Sequence, residues 1–332
     1  MENQETIAVV GSGSWATALV KILQENGHPV HWWIRDESSR RHIDRLHHNP
    51  KYLSSVQFRP GLLHTSGSLQ EVVEAASMVF VAVPAAFLHG ALQGLTGDSW
   101  KNKRVVSAVK GMIPEENLIL AEYFRLHWGV PHHRFAVVSG PCHAEEVALE
   151  KLSYLTLAAQ DEALRLQLCR MMACRFIRTI PSDDIWGTEY AAVLKNIYAM
   201  AAGICHGLGY GDNFQAVLIS NAIQEMARFV QAVHPIARDI NDSAYLGDLL
   251  VTAYSQFSRN RTFGTMIGKG YEVRAAQLEM NMVAEGYNAA RCVYEVNKQY
   301  TVDMPIAEAV YKILYRQEDA AHRMQELTLR LR

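Results

Sequence analysis

The residues of this chain able to do chemistry fall into a few groups. The first is Lys195, the only formally charged side chain between Glu189 and Asp212, inside the run Tyr190-Ala-Ala-Val-Leu-Lys195-Asn-Ile-Tyr-Ala-Met-Ala-Ala202. Helix formers that are apolar on almost every side predict a buried helix. Burial disfavours a charged lysine and can lower its pKa by up to about 3–5 units, which brings proton transfer near neutral pH within reach. A lysine whose stem packs while its ammonium reaches water fits the segment equally well. The second group is Asp248 in Leu246-Gly247-Asp248-Leu249-Leu250, a carboxylate flanked by apolar residues. It suits a partner for a buried cation, or a helix N-cap. The third is Ser258-Arg259-Asn260-Arg261, where arginine forks suit phosphate or carboxylate and an exposed basic turn is the alternative. The last is Gly11-x-Gly13-x-x-Ala16. After a strand and before a helix, this spacing permits a tight turn at Gly11, close approach of backbone to a pyrophosphate at Gly13, and close helix–strand packing at Ala16. The phosphates then lie on a helix N-terminus.

These residues need elements to hold them. Ile7–Val10, Val30–Ile34, Met78–Val83, Arg104–Val109, Phe135–Ser139, Ser153–Ala158 and Arg175–Ile180 read as strands, with a helix following the glycine turn and another at roughly 161–172. Short apolar runs alternating with helical patterns predict a doubly wound, mostly parallel sheet of the Rossmann type. From Glu189 onward the spacing is helical. Phe214, Leu218, Ala222, Met226 and Val230 recur every four residues, a stripe suited to core or subunit interface. The chain therefore reads as an α/β domain over 1–188 followed by an all-helical domain over 189–332, with the boundary near Pro181–Thr188. After the second strand stand Arg35 and Asp36. Asp36 could accept from a ribose 2′-hydroxyl and Arg35 could hold a 2′-phosphate, so the pair does not choose between NAD and NADP. Gly203, Gly207, Gly209 and Gly211 suit either a pocket wall or a turn between helices.

Composition sets limits. A net charge of −2 gives no global pull toward nucleic acid or anionic membrane. No uncharged apolar run reaches the roughly 18 residues of a membrane span, and the acidic N-terminus is unlike a signal peptide. The cysteines, Cys142, Cys169, Cys174, Cys205 and Cys292, are odd in number without a Cys-x-x-Cys pair. A reduced cytoplasmic setting accounts for them most simply.

As an ordered set the segments resemble the bacterial-type NAD(P)-dependent glycerol-3-phosphate dehydrogenases. The resemblance rests on the Gly11–Leu19 turn and helix, Ala108-Val-Lys110-Gly111, Ser139-Gly140-Pro141 with Ala144 and Glu146-Val147, and Lys195-Asn196. It continues through Gly207-Leu-Gly-Tyr-Gly211, Gly247-Asp248-Leu249, Ser258-Arg259-Asn260-Arg261, Glu285-Gly286 and Met304-Pro305-Ile306. It implies a Rossmann-type domain, an all-helical substrate domain, and NADPH- or NADH-dependent reduction of dihydroxyacetone phosphate to sn-glycerol 3-phosphate, the head-group precursor of phospholipids. It also implies a homodimer, a small phosphorylated substrate, no metal, no nucleic-acid partner and no membrane insertion. By the family pattern Lys195 is the catalytic acid/base. Lys110, Gly140, Cys142, Lys195, Asp248, Ser258, Arg259 and Asn260 correspond to substrate contacts. Gly11 and Gly13 form the dinucleotide turn, and Ser14, Trp15, Arg35, Lys110, Ala144, Arg259, Val283 and Glu285 correspond to cofactor contacts. The chain departs from the pattern at Ala16, where the family usually has Gly. It also departs at Cys142-His143, in place of Ser or Thr and an aromatic, and at His206 and Gln215, in place of Asp and Lys. A thiol is a weaker donor than a hydroxyl, which puts a side-chain contact at Cys142 in question. Two other readings remain open from residues alone: a related dehydrogenase acting on a hydroxy acid, and a non-catalytic NAD(P)H-binding sensor.

Overall fold

The computed structural model describes residues 5–280 and 284–332; Val283, a cofactor contact by resemblance, lies outside them. The chain divides into two compact units. The first holds the residues up to Val109 together with Leu120–Ile185, and the second holds Lys110–Ile119 and Trp186–Arg332.

The first unit is built on a sheet of β1 (Ile7–Val10), β2 (Val30–Trp33), β3 (Leu63–Ser66), β4 (Met78–Val81), β5 (Arg104–Ser107), β6 (Phe135–Ser139), β7 (Ser153–Ala159) and β8 (Ile177–Ser182). Their spatial order is β3-β2-β1-β4-β5-β6-β7-β8. All neighbours run parallel except the antiparallel pair β6–β7. The first six strands follow the order of dinucleotide-binding sheets, with the topological switch between β1 and β4. Helices α1 (Ser14–Glu25), α2 (Glu37–Leu46), α3 (Leu69–Glu74), α4 (Ala85–Leu92), α5 (Leu120–Trp128), α6 (Ala144–Ala148) and α7 (Glu162–Met172) accompany it. β1 and β4 are fully buried, which is why they read as continuous apolar runs. β3 is the strand the sequence reading lacks. Its residues Leu-His-Thr-Ser form a half-exposed edge, and such an edge needs no apolar run. β8 begins later than expected because Cys174 and Ile177 exchange backbone hydrogen bonds in a turn of 3.1 and 3.2 Å.

The second unit is helical: α8 (Ile185–Gly207), α9 (Asp212–Val233), α10 (Asp248–Tyr254), α11 (Arg259–Gly268), α12 (Val273–Glu279), α13 (Glu285–Tyr300), α14 (Pro305–Arg316) and α15 (Ala320–Thr328). Helix α8 is buried without a break from Gly187 to Cys205, as its all-round apolar sequence requires. The α9 stripe is buried at Leu218, Ala222, Met226 and Val230 and half-buried at Phe214, and the same helix buries a charged residue. Glu225 is wholly buried and accepts from Ile306 N at 2.8 Å and Ala307 N at 3.0 Å, capping the start of α14. Burial pushes its carboxyl up to about 7, and the two backbone donors oppose that shift. The segment Lys110–Ile119 is tied into this unit by Asn196 Nδ2 donating to Lys110 O at 2.7 Å and by Arg291 Nη2 donating to Pro114 O at 3.0 Å.

Candidate active site

Lys195 is buried, with 4% of its surface exposed, so its ammonium does not reach water by its own length. Its Nζ donates to Asp248 Oδ1 at 2.5 Å. Lys110 Nζ approaches the other carboxylate oxygen, Oδ2, at 3.3 Å. One carboxylate with 1% exposure thus lies between two ammonium groups. Burial lowers the Lys195 ammonium to about 7. The charge of Asp248 opposes that fall, and Lys110 adds to it. Burial would raise the Asp248 carboxyl, but Lys110 and Lys195 outweigh it and hold the group below its ordinary value. Asp248 does not act as an N-cap. A single π-helical turn, Ser243–Gly247, runs straight into α10, and the side chain of Asp248 turns to the lysines. π-Turns of this kind occur frequently at functional sites.

An amide network extends from this pair. Asn260 Nδ2 donates to Asn196 Oδ1 at 2.8 Å, and Asn260 Oδ1 accepts from Gly286 N at 2.9 Å. Asn196, one residue beyond the lysine, in turn holds Lys110 through its carbonyl. Both ends of the Asn260 amide are therefore engaged, with one N–H left over. Ser258 is buried and caps α11 by accepting from Arg261 N at 3.3 Å. Arg259 is exposed at the first position of that helix. An exposed guanidinium at a helix N-terminus is suited to an anion. Glu285 opens α13 next to Gly286.

The glycines explain how α11 reaches this place. Gly203 and Gly207 lie inside α8, not in a turn, and they face Gly264 and Gly268 of α11. A Cβ on Gly203 would fall 2.1 Å from Arg261 O, and one on Gly264 would fall 2.2 Å from Met200 O. Small residues four apart on both helices let the two backbones touch, which carries the Ser258–Asn260 cap toward the lysine helix. Gly209 has φ +89° and serves the turn after α8.

The first unit holds the remaining candidates. Gly11 has φ +122°, and a Cβ there would meet Ala82 O at 2.7 Å. Its carbonyl is fixed by the buried Trp32 Nε1, which donates to it at 2.6 Å. Gly13, the N-cap of α1, has open space where a Cβ would stand. As a glycine it makes no side-chain cap bond, and the first turn, beginning Ser14-Trp15, carries no acid. The dipole of a helix that starts without an acid favours an anion, which fits a dinucleotide pyrophosphate. Gly140 has φ +100° at the end of β6 and is closed in by Tyr154 O. Cys142 and Ala144 are buried in the apolar core of this unit. Asp36 follows β2. It caps α2, accepting from Ser39 N at 3.2 Å. Arg35, beside it, is exposed.

A sheet in dinucleotide-binding order with an uncapped glycine turn, together with a helical unit carrying a buried lysine–carboxylate pair, defines a nicotinamide-dependent dehydrogenase of the Rossmann type. Comparison with known proteins makes this particular. Residues 6–165 match the model of the NAD-dependent glycerol-3-phosphate dehydrogenase N-terminus, and residues 184–325 match that of the C-terminus. The chain belongs to that family. It is 34% identical to a glycerol-3-phosphate dehydrogenase [NAD(P)+] of Limosilactobacillus reuteri over 97% of this chain and 96% of the relative. It is 33% identical to that of Alcanivorax borkumensis over 98% and 94%. The crystal structure of glycerol-3-phosphate dehydrogenase from Coxiella burnetii superposes with a TM-score of 0.90 at 28% identity, covering 98% of this chain and 99% of that one.

Proposed function

We propose that the chain reduces dihydroxyacetone phosphate reversibly to sn-glycerol 3-phosphate, with NADPH or NADH as the reductant. The observation that carries this reading is the Lys195–Asp248 pair, a buried ammonium held by a buried carboxylate. When bound, the nicotinamide supplies a hydride to the ketone carbon. Negative charge then builds on the ketone oxygen, and a preorganised ammonium in a dry site stabilises it. Lys195 Nζ gives that oxygen its proton and is recharged from water, so one hydride and one proton are consumed per turnover. Asp248 keeps the ammonium charged and aimed. Lys110 leaves the three-group cluster with an excess positive charge, which favours an oxyanion over a neutral ketone. Arg259 and the N-terminus of α11 hold the phosphate. Binding energy at that remote group positions the carbonyl. Asn196 and Asn260 set the geometry, with the spare Asn260 N–H available to the substrate.

The assignments of Gly11, Gly13, Ser14, Trp15, Arg35, Ala144 and Glu285 to the cofactor, and of Gly140, Cys142 and Ser258 to the substrate, rest on the family pattern together with these positions. On this reading the product supplies glycerophospholipid synthesis in the cytoplasm and the enzyme is a homodimer; no helix among the described residues is long and apolar enough to cross a membrane. The deciding assay follows nicotinamide absorbance with dihydroxyacetone phosphate and, separately, with a keto acid such as ketopantoate. Oxidation of the cofactor with the phosphorylated ketone is expected. Turnover of the keto acid alone, or tight cofactor binding without turnover of either, would overturn the reading.

A further inference from the structure

At the end of β2 the chain has both an acid and a base, and the structure separates their duties. Asp36 Oδ2 accepts from Ser39 N at 3.2 Å, Ser39 Oγ at 2.6 Å, Ser38 Oγ at 2.9 Å and Lys51 Nζ at 2.6 Å. Its Oδ1 lies 3.1 Å from Ser38 Oγ. These bonds crowd onto Oδ2, so Asp36 caps α2 and pairs with Lys51 through that oxygen, while Oδ1 is engaged only by Ser38. The bond from Lys51 leads the causes that hold this carboxyl well below its ordinary range, followed by those from Ser39 and Ser38. Arg35, by contrast, is exposed and makes no hydrogen bond or ion pair among the described residues.

Lys51 is delivered to this place by a built loop. Asn49 is 1% exposed. Its Nδ2 donates to Ser12 O at 3.1 Å and to Thr17 Oγ1 at 2.9 Å, inside the glycine turn and its helix. Its Oδ1 accepts from Lys51 N at 3.0 Å and Tyr52 N at 3.2 Å. Thr17 Oγ1 in turn donates to Gly13 O at 2.9 Å. The loop bearing Lys51 is thereby fastened to the same turn that receives the pyrophosphate. Without Lys51 the charges of Arg35 and Asp36 would cancel; with it the group carries a net positive charge.

We propose that Lys51 is a specificity-determining residue: by neutralising Asp36, the chain neighbour of Arg35, it makes the adenosine end a reader of a 2′-phosphate, so that NADPH is preferred to NADH. The inference rests on the reading that the first unit binds a nicotinamide dinucleotide. It is tested with the full chain by titrating NADPH, NADH, 2′,5′-ADP and AMP calorimetrically against the parent, Lys51→Gln and Arg35→Ala. The parent should bind NADPH more tightly than NADH, and 2′,5′-ADP more tightly than AMP. Lys51→Gln should weaken NADPH and 2′,5′-ADP by roughly five- to tenfold at low salt, with a smaller effect as salt rises, and change NADH and AMP by less than about twofold. Arg35→Ala should shift the same pair of ligands in the same direction. Equal losses for phosphorylated and unphosphorylated ligands in Lys51→Gln, no loss at all, or a parent that prefers NADH would each overturn the proposal while leaving dinucleotide binding intact. A parent that binds none of the four ligands would overturn the dinucleotide reading itself, and the inference with it.

Discussion

The glycine turn of the first unit and the lysine cluster of the second are both prepared for charge, but they are made in opposite ways. The turn is local. One strand, one tight bend at Gly11 and one helix starting at Ser14 present backbone donors, and the side chains of Trp32 and Asn49 hold the carbonyls of Gly11 and Ser12. The lysine cluster is non-local. Lys195 meets Asp248 across 53 positions, and Lys110 meets the same carboxylate across 138. A phosphate can be held by peptide N–H groups that any sequence carries. A proton donor working near neutrality needs a side chain of a particular kind, removed from water and given a counter-charge. Only segments from different parts of the chain supply that.

Substitutions can test this difference from both sides, and the largest effect should fall on the non-local site. Lys195→Ala is expected to lower turnover by roughly three decades while cofactor affinity, measured by fluorescence titration, stays within about twofold. Retained turnover at saturating substrate would remove Lys195 from its role. The same ammonium fixes the sign of the pH dependence. Held at about 7 by burial, it is protonated below that value. Reduction of the ketone should therefore decline as pH rises through about 7, and oxidation of the alcohol should increase. A reduction rate that climbs with pH over that interval would contradict the assignment.

Gly203→Ala probes the packing beneath the cluster. Its Cβ would strike Arg261 O, and separating two touching helix backbones should cost about 3 kcal/mol. Chemical denaturation measures this directly, and an unchanged midpoint would mean that the two helices have room to spare. Arg259→Ala comes next. Loss of a charge-assisted phosphate contact should raise KM for dihydroxyacetone phosphate by one to two decades, roughly 1.4–2.7 kcal/mol. Unphosphorylated dihydroxyacetone should be almost indifferent; an equal loss for both would make Arg259 a structural or cofactor residue.

The smallest effect should be at Gly13, on the local site. A methyl there meets open space in the protein, so Gly13→Ala should leave Tm within about 1 °C yet weaken either nicotinamide cofactor roughly tenfold, about 1.4 kcal/mol. Loss of stability there, or cofactor binding as tight as the parent's, would erase the contrast with Gly203.

The parts legible in the sequence are those whose physics is carried by neighbours in the chain. Apolar runs mark β1 and β4 because a parallel strand buried on both faces has to be apolar throughout. β3 escaped because an edge strand need not be, and Leu63-His-Thr-Ser66 has no such run. From its place after β2 Asp36 reads as a ribose acceptor or as part of a solvated charged loop, and the structure adds that it caps α2 with Ser38 and Ser39. The sequence places Gly203 and Gly207 near a helix end without saying whether they turn the chain. Their partners Gly264 and Gly268 lie some sixty residues on, and the four-residue spacing shared by the two pairs was the available signal. Asn49 and Glu225 gave no signal, since a polar residue in a loop and a single glutamate in an apolar stripe are both common. Their burial and their backbone partners distinguish them.

By itself, then, the sequence determined the alternation of strands and helices, the glycine turn with its anion-ready helix, and the presence of one lysine in a long apolar helix, because local spacing and solvent preference suffice for each. It also carried the ordered motifs that mark the family. Tertiary structure decided which carboxylate the lysine meets, that Lys110 shares it, and that Asn196 and Asn260 bind the cluster together. It also decided that Lys51 meets Asp36 while Arg35 is left exposed. Ion pairing and desolvation depend on distances of a few ångströms between segments far apart in the chain, and residue order alone does not fix those distances.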